Sequence, residues 1–252
     1  MTEDKRKTSQ VEGTADGSRR KFLKTAAMGA AGGALITGAP WIGKADAQNG
    51  IRMRIQSSWQ AGTVGYRTFE NWAGRIQELT SGEIRMEPYP AGAVVGDFSV
   101  PDAVRDGVLD AENLFTVYWA GRLPAGVFFS SYPMSLSMPH HWDVMFGAYG
   151  GYGLVNDLYR QFGLEYIGHV HHDLNLIHSK VPLRSLDDFA GKKIRFPGGI
   201  IAETFAEVGV RTTLLPGSDV YPALERGTIE AADYTGAAVN YELGFHQVTD
   251  YI

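Results

Sequence analysis

From Ile51 onward, short stretches that alternate apolar and polar residues are separated by segments of helical spacing, and that alternation admits few folds. "IRMRIQSSW" (51–59) switches with period two, as a half-buried strand does. In "GTVGYRTFENWAGRIQELTSG" the residues Phe69, Trp72, Ile76 and Leu79 fall at helical spacing, and Gly82 supplies a stop. "EIRMEPYP" reads as a second strand. A helix over 100–106 and a strand through 114–118 follow. Downstream come a helix over 153–162, a strand at 165–169 and the strands "LNLIHS" and "KKIRFP". Next are the helix "IIAETFAEVG", the strand "RTTLLP", the helix "DVYPALERG" and the strand "TIEAADY". "GFHQVTDYI" reads as a helix running into a strand. Helices interleaved with strands imply an α/β fold with mixed, mainly parallel sheets. The pattern suits two lobes, with the chain crossing near 121–131 and 234–241.

Composition narrows the function classes. The 252 residues contain no cysteine, which removes disulfides, thiolate metal sites and cysteine nucleophiles. A net charge of -5 gives no reason to expect nucleic acid as a partner. The N-terminus carries "SRRKFLK" (Ser18 to Lys24), an Ala/Gly-rich apolar run, and "ADA" before Gln48. This is the layout of a twin-arginine leader over residues 1–47, and its glycines and Pro40 make it a poor membrane span. Its removal takes away 8 basic and 5 acidic residues of 23 and 28, leaving 15 and 23 and a net charge of -8. An acidic, exported domain is expected.

Arg195 stands between Ile194 and Phe196 in a strand that ends at Pro197-Gly198-Gly199. Ligands of open α/β sheets lie beyond strand ends of this kind, where a helix N-terminus also points. An arginine there can grip a carboxylate through paired, charge-assisted hydrogen bonds. The same position also suits a structural pair with Asp187 or Asp188. Asp233 closes a later strand and falls at the same sheet end. A carboxylate beside an anionic ligand requires a cation between them, or else Asp233 acts as a cap or pairs with the arginine. Trp59, Tyr118 and Trp119 suit the wall of a cleft or core packing. "HVHHD" places His169 and His171 two residues apart, with His172 and Asp173 beside them; His-x-His on a strand shares a face and can ligate a metal. An exported metalloenzyme using His169 and His171 is the competing reading. No catalytic triad, phosphate loop or paired-carboxylate spacing stands out.

The segments "GTVGYRTFENWAGRIQELTSGEIRM", "FTVYWAGRLPAGVFFS", "SLDDFAGKKIRFPG" and "YPALERGTIEAADYTG" resemble a known family over residues 51–252. It is the solute-binding subunits of tripartite ATP-independent periplasmic (TRAP) transporters, in the branch that takes 2-oxo acids and related monocarboxylates. The resemblance implies a two-lobed solute-binding fold with its ligand cleft between lobes. The lobes would span 48–125 and 126–232, with 233–252 returning to the first. It implies that Arg195 fixes the substrate carboxylate and that Trp59, Tyr118, Trp119, His172 and Asn175 contact the ligand. A bridging Na+ or Ca2+ would be held by Asp233, Tyr234 and Asn175. Here Asp233-Tyr234 stands where the family has Glu-Trp, and Asn175 where it has Gln. No organic cofactor and no catalysis are expected. Partners would be a small carboxylate and the membrane permease subunits in the periplasm, with room for a homodimer. The family's chains run longer, which implies a further C-terminal segment.

Overall fold

The computed structural model describes residues 50–252 apart from residue 131; the leader assigned to 1–47 lies outside the described residues. Strand β1 (Ile51–Ser57) is the centre of a three-stranded parallel sheet of order β2-β1-β3, with β2 at Ile84–Tyr89 and β3 at Ala111–Asn113. Pro88, which has no N–H to donate, is tolerated because β2 is an edge strand. Helix α1 (Val64–Leu79) makes the crossover, opened by Thr63, whose hydroxyl accepts from the Tyr66 amide at 3.3 Å. It buries Tyr66, Phe69 and Ala73 against the sheet. Trp72 and Leu79, placed on the apolar stripe by spacing, are instead exposed, Trp72 stacking on Phe69 at the rim. Short helix α2 (Val100–Arg105) leads into β3.

The second sheet has the order β4-β7-β5-β6, with β4 at Ile177–Ser179, β5 at Lys193–Arg195, β6 at Arg211–Thr213 and β7 at Ala231–Asp233. β5 runs parallel to β6 and β7, while β4 is antiparallel to β7. The sheets are therefore mixed and mainly parallel, as the alternation requires. Helices α5 (Gly199–Glu207) and α6 (Gly217–Glu225) join the parallel strands. Between the sheets in sequence lie α3 (Pro139–Ala148) and α4 (Gly151–Arg160), which enclose an aromatic cluster of Trp119, Phe146 and Tyr159. Another core cluster joins Ile55, Trp59 and Phe69 of the first sheet and α1 to Val220, Leu224, Ala232 and Phe245.

Three expectations are corrected. The strand at 114–118 is absent: β3 pairs with β1 through Asn113, and Thr116–Trp119 forms a 3-10 turn that buries Val117, Tyr118 and Trp119. The strand at 165–169 is absent too, the chain from 163 to 176 having no regular structure. Side chains replace the ladder there: the Tyr166 amide donates to Asn156 Oδ1 at 2.9 Å, and Glu165 pairs with Arg160. The last residues form helix α7 (Ala237–Glu242), a 3-10 turn (Phe245–Gln247) and a bridge from Tyr251 to Ser179.

Candidate ligand site

Strand β5 delivers Arg195 to the sheet end, and the Pro-Gly-Gly break keeps the chain from covering it. Gly198 and Gly199 have φ of +93° and +57°, and a Cβ on Gly199 would fall 2.8 Å from a Val127 methyl. The Arg195 side chain is 2% exposed, yet among the described residues it contacts neutral oxygens. Nε and Nη2 donate to the Leu215 carbonyl at 3.1 and 3.0 Å, and Nη1 donates to the Asp233 carbonyl at 2.7 Å. Nη2 also donates to Tyr118 Oη at 3.1 Å, and the guanidinium lies 5.2 Å from the Tyr234 ring centre. Asp187 and Asp188 are not its partners; Asp188 closes a capping box with Ser185 in the preceding turn. Among the described residues the guanidinium makes no direct ion pair, and its hydrogen bonds go to neutral oxygens, which leaves its charge available to an anion.

Asp233, on β7, presents its side chain beside this guanidinium and is 8% exposed. Among the described residues its carboxylate accepts one hydrogen bond, from Asn175 Nδ2 at 3.0 Å. Burial pushes its pKa up to about 6, against the lowering effects of Asn175 and Arg195. Next in the chain, Tyr234 is buried, and its hydroxyl and the Gln60 side chain are hydrogen-bonded at 2.8 Å. Beside the buried Asp233 carboxylate, with its one donor, a flipped Asn175 amide would present a second oxygen. Such oxygens fit a hard cation such as Na+ or Ca2+.

These groups border a half-open cleft lined by residues that include Tyr118, His172, Asn175, Arg195, Tyr234 and Thr235. Asp233 reaches it through Asn175. His172 stands over Phe115 in an edge-to-face contact at 5.4 Å. Trp59 and Trp119 lie elsewhere: Trp59 packs in the core against Phe115, and Trp119 is buried between Tyr159 and Phe162. The structure also adds groups that sequence reasoning missed. Phe115, Val117, Ser130, Pro197 and Thr235 line the cleft. Asp173 accepts from Thr235 Oγ1 at 2.6 Å and from the Gly236 amide at 3.1 Å, fixing the loop after β7. The Leu215 carbonyl carries no side-chain signal that a sequence could reveal.

Residues 55–252 match the family model DctP, bacterial extracellular solute-binding protein, family 7. The chain belongs to that family. A monocarboxylate 2-oxoacid-binding periplasmic protein of Nostoc sp. is 28% identical over 238 residues, covering 92% of this chain and 64% of the relative. Among solved structures, a TRAP transporter solute-binding protein of Bordetella bronchiseptica superposes with a TM-score of 0.70 at 26% identity, covering 79% of this chain and 60% of the other. It is described as a mixed-occupancy dimer with copurified calcium and picolinate in one site and the other apo. An apo, open TRAP periplasmic solute-binding protein of Rhodobacter sphaeroides is 34% identical with a TM-score of 0.53, covering 79% and 63%. The chain thus spans a little under two-thirds of the length of these relatives. The fold is the two-lobed architecture of TRAP solute-binding proteins. Family members are solute receptors, which sets aside the metalloenzyme reading of His169 and His171.

Proposed function

We propose that this protein is a periplasmic receptor of a TRAP transporter that binds a small 2-oxo acid or related monocarboxylate and hands it to a membrane permease. The observation that carries the reading is Arg195, a buried cation facing a cleft with neutral partners. Its side chain has five N–H groups, and the contacts to Leu215, Asp233 and Tyr118 use four. The carbonyls orient the fork, leaving one Nη1 proton, and the Nη2 proton now on Tyr118, for a ligand carboxylate. Each charge-assisted bond contributes roughly 1.5–3 kcal/mol.

Asp233, the Tyr234 carbonyl and Asn175 would hold Na+ or Ca2+. The ion would supply the positive charge that lets a buried carboxylate and an anionic ligand share one cleft. The Nostoc relative is named for 2-oxo acids and the Bordetella structure holds calcium with picolinate. Both ligand types offer a carboxylate with a second donor on the adjacent carbon, the arrangement that chelates a bridging ion. Tyr118 and His172 contact the ligand from the cleft wall; Trp59 and Trp119 act behind it by packing. The lobes lie at 48–125 and 126–232, with 233–252 returning to the first. Export through the twin-arginine route fits a receptor that folds before translocation.

A thermal-shift panel of small carboxylates with calcium present tests the reading. Wild-type protein is expected to be stabilised by 2-oxo acids, and the Arg195→Ala and Arg195→Lys variants to lose that stabilisation. Equal stabilisation of wild type and Arg195→Ala would refute the clamp.

A further inference from the structure

A second cluster of chemically capable side chains lies outside the cleft. Asp143 on α3 receives two imidazoles on one carboxylate oxygen: His169 Nε2 at 2.8 Å and His171 Nε2 at 2.9 Å from Oδ1. The three candidate ligand atoms lie within 4.8 Å of one another. None of the three residues lines the cleft. We propose that Asp143, His169 and His171 form a binding site for a divalent transition-metal ion of the zinc type. This inference does not rest on the carboxylate-receptor reading.

The geometry is close to what the ion needs. Tetrahedral zinc bonds of about 2.0–2.2 Å place neighbouring ligand atoms roughly 3.3 Å apart. The cluster therefore has to open by about half an ångström on each imidazole–carboxylate edge, within the reach of small side-chain rotations. Its central imidazole is held in place. The His169 ring stacks on buried Phe146 with centres 4.4 Å apart and planes 9° from parallel. Its other nitrogen, Nδ1, lies 3.1 Å from Tyr152 Oη on α4. In this structure Nε2 donates to Asp143; with an ion between them the proton would move to Nδ1 and be donated to that hydroxyl, freeing the Nε2 lone pair, the outer hydrogen bond characteristic of metal-bound histidine. Asp143 and Phe146 sit three residues apart on α3, so one helix supplies both a ligand and the surface that orients the second. His171 completes the set from the irregular segment after α4, and Asp143 and His171 are exposed enough to leave the remaining coordination positions to water or to another ligand.

The donor set separates this site from the cleft. Two imidazoles and one carboxylate suit borderline ions such as Zn2+, Ni2+ or Cu2+, whereas the oxygens around Asp233 suit Na+ or Ca2+.

The test is calorimetric titration of Zn2+ into the chelator-stripped full chain in excess calcium, which saturates oxygen sites. One equivalent of zinc is expected to bind, and His171→Gln and Asp143→Asn are each expected to weaken it at least tenfold. Both side chains are exposed, so these variants are expected to keep the wild-type melting profile, whereas loss of His169 would disturb its stack on Phe146. Cobalt(II) gives a second readout: the visible absorption of a low-coordinate nitrogen–oxygen site should appear in wild type and vanish in both variants. No zinc uptake by wild type, or uptake by His171→Gln and Asp143→Asn equal to wild type, would overturn the proposal; the second result would place zinc on other histidines.

Discussion

Arg195 and Asp233 lie at adjacent strand ends, yet the arginine donates to the main-chain carbonyl of Asp233 and the carboxylate takes its hydrogen bond from Asn175. That arrangement leaves each charge for something else. For Asp233 the consequence is a pH dependence whose sign is fixed. Its pKa of about 6 lies above the ordinary 3.8. The folded carboxyl thus keeps a proton that the unfolded chain has lost, and its stabilising contribution disappears as pH rises from about 4 through 6. Cation binding needs the ionised form, so calcium affinity should climb over the same window and level off above it. Asp233→Asn should therefore raise the stability of the metal-free protein at pH 7.5 by up to about 3 kcal/mol in urea denaturation, while losing the calcium effect. Equal stability of variant and wild type would remove the buried-charge account of this residue. At this scale the sequence was partly legible. An arginine flanked by Ile194 and Phe196 announces itself, and Asp233 follows from its strand end. Tyr118 and Trp119 are neighbours in one 3-10 turn, however, and which of them faces the cleft is decided by Tyr159 and Phe162, far away in sequence.

Elements hold the site through a few contacts that tolerate no added atom. The loop between β7 and α7 is pinned by Asp173, whose carboxylate sits where a Cβ on Gly236 would be. Gly236→Ala must push Asp173 away and release Thr235, which lines the cleft. The expected result is roughly 1–3 kcal/mol of lost stability together with weakened ligand binding. Thr63→Ala, which removes the N-cap of α1, should cost about 1 kcal/mol and leave ligand affinity unchanged. Chemical denaturation and ligand titration on the two variants check both halves, and loss of affinity in Thr63→Ala would break the distinction. The alternation of strands and helices was readable because periods of two and 3.6 differ strongly over eight or more residues. The segment from 163 to 176 was not, since its backbone is satisfied by Asn156 and by the loop after β7 rather than by a ladder. The same gap hid the metal cluster: His169 and His171 are conspicuous, but Asp143 is supplied by a helix that no periodic pattern disclosed.

Over the whole molecule, buried carboxylates set the response to pH. Burial pushes Glu112 up to about 8 and Asp97 to about 6, beside Asp233. Each is more protonated in the folded chain than in the unfolded one, so stability falls as pH rises through these values. His178, whose pKa burial depresses, acts in the opposite direction, but only below about 6.5, where the unfolded imidazole takes up its proton. The metal-free protein should therefore lose stability between pH 7 and 8.5, and Glu112→Gln should flatten that decline in urea melts; an unchanged slope would contradict the assignment. The ligand acts on the same balance, since carboxylate and cation together neutralise the charges that folding strands around the cleft. The most direct measurement is calorimetric titration of pyruvate into the full chain at pH 7.5, with calcium and again with chelator, for wild type and Asp233→Asn. The account predicts calcium-dependent binding by wild type that weakens at least tenfold in chelator, and no calcium dependence in the variant. Pyruvate affinity that is the same in all four titrations would contradict it.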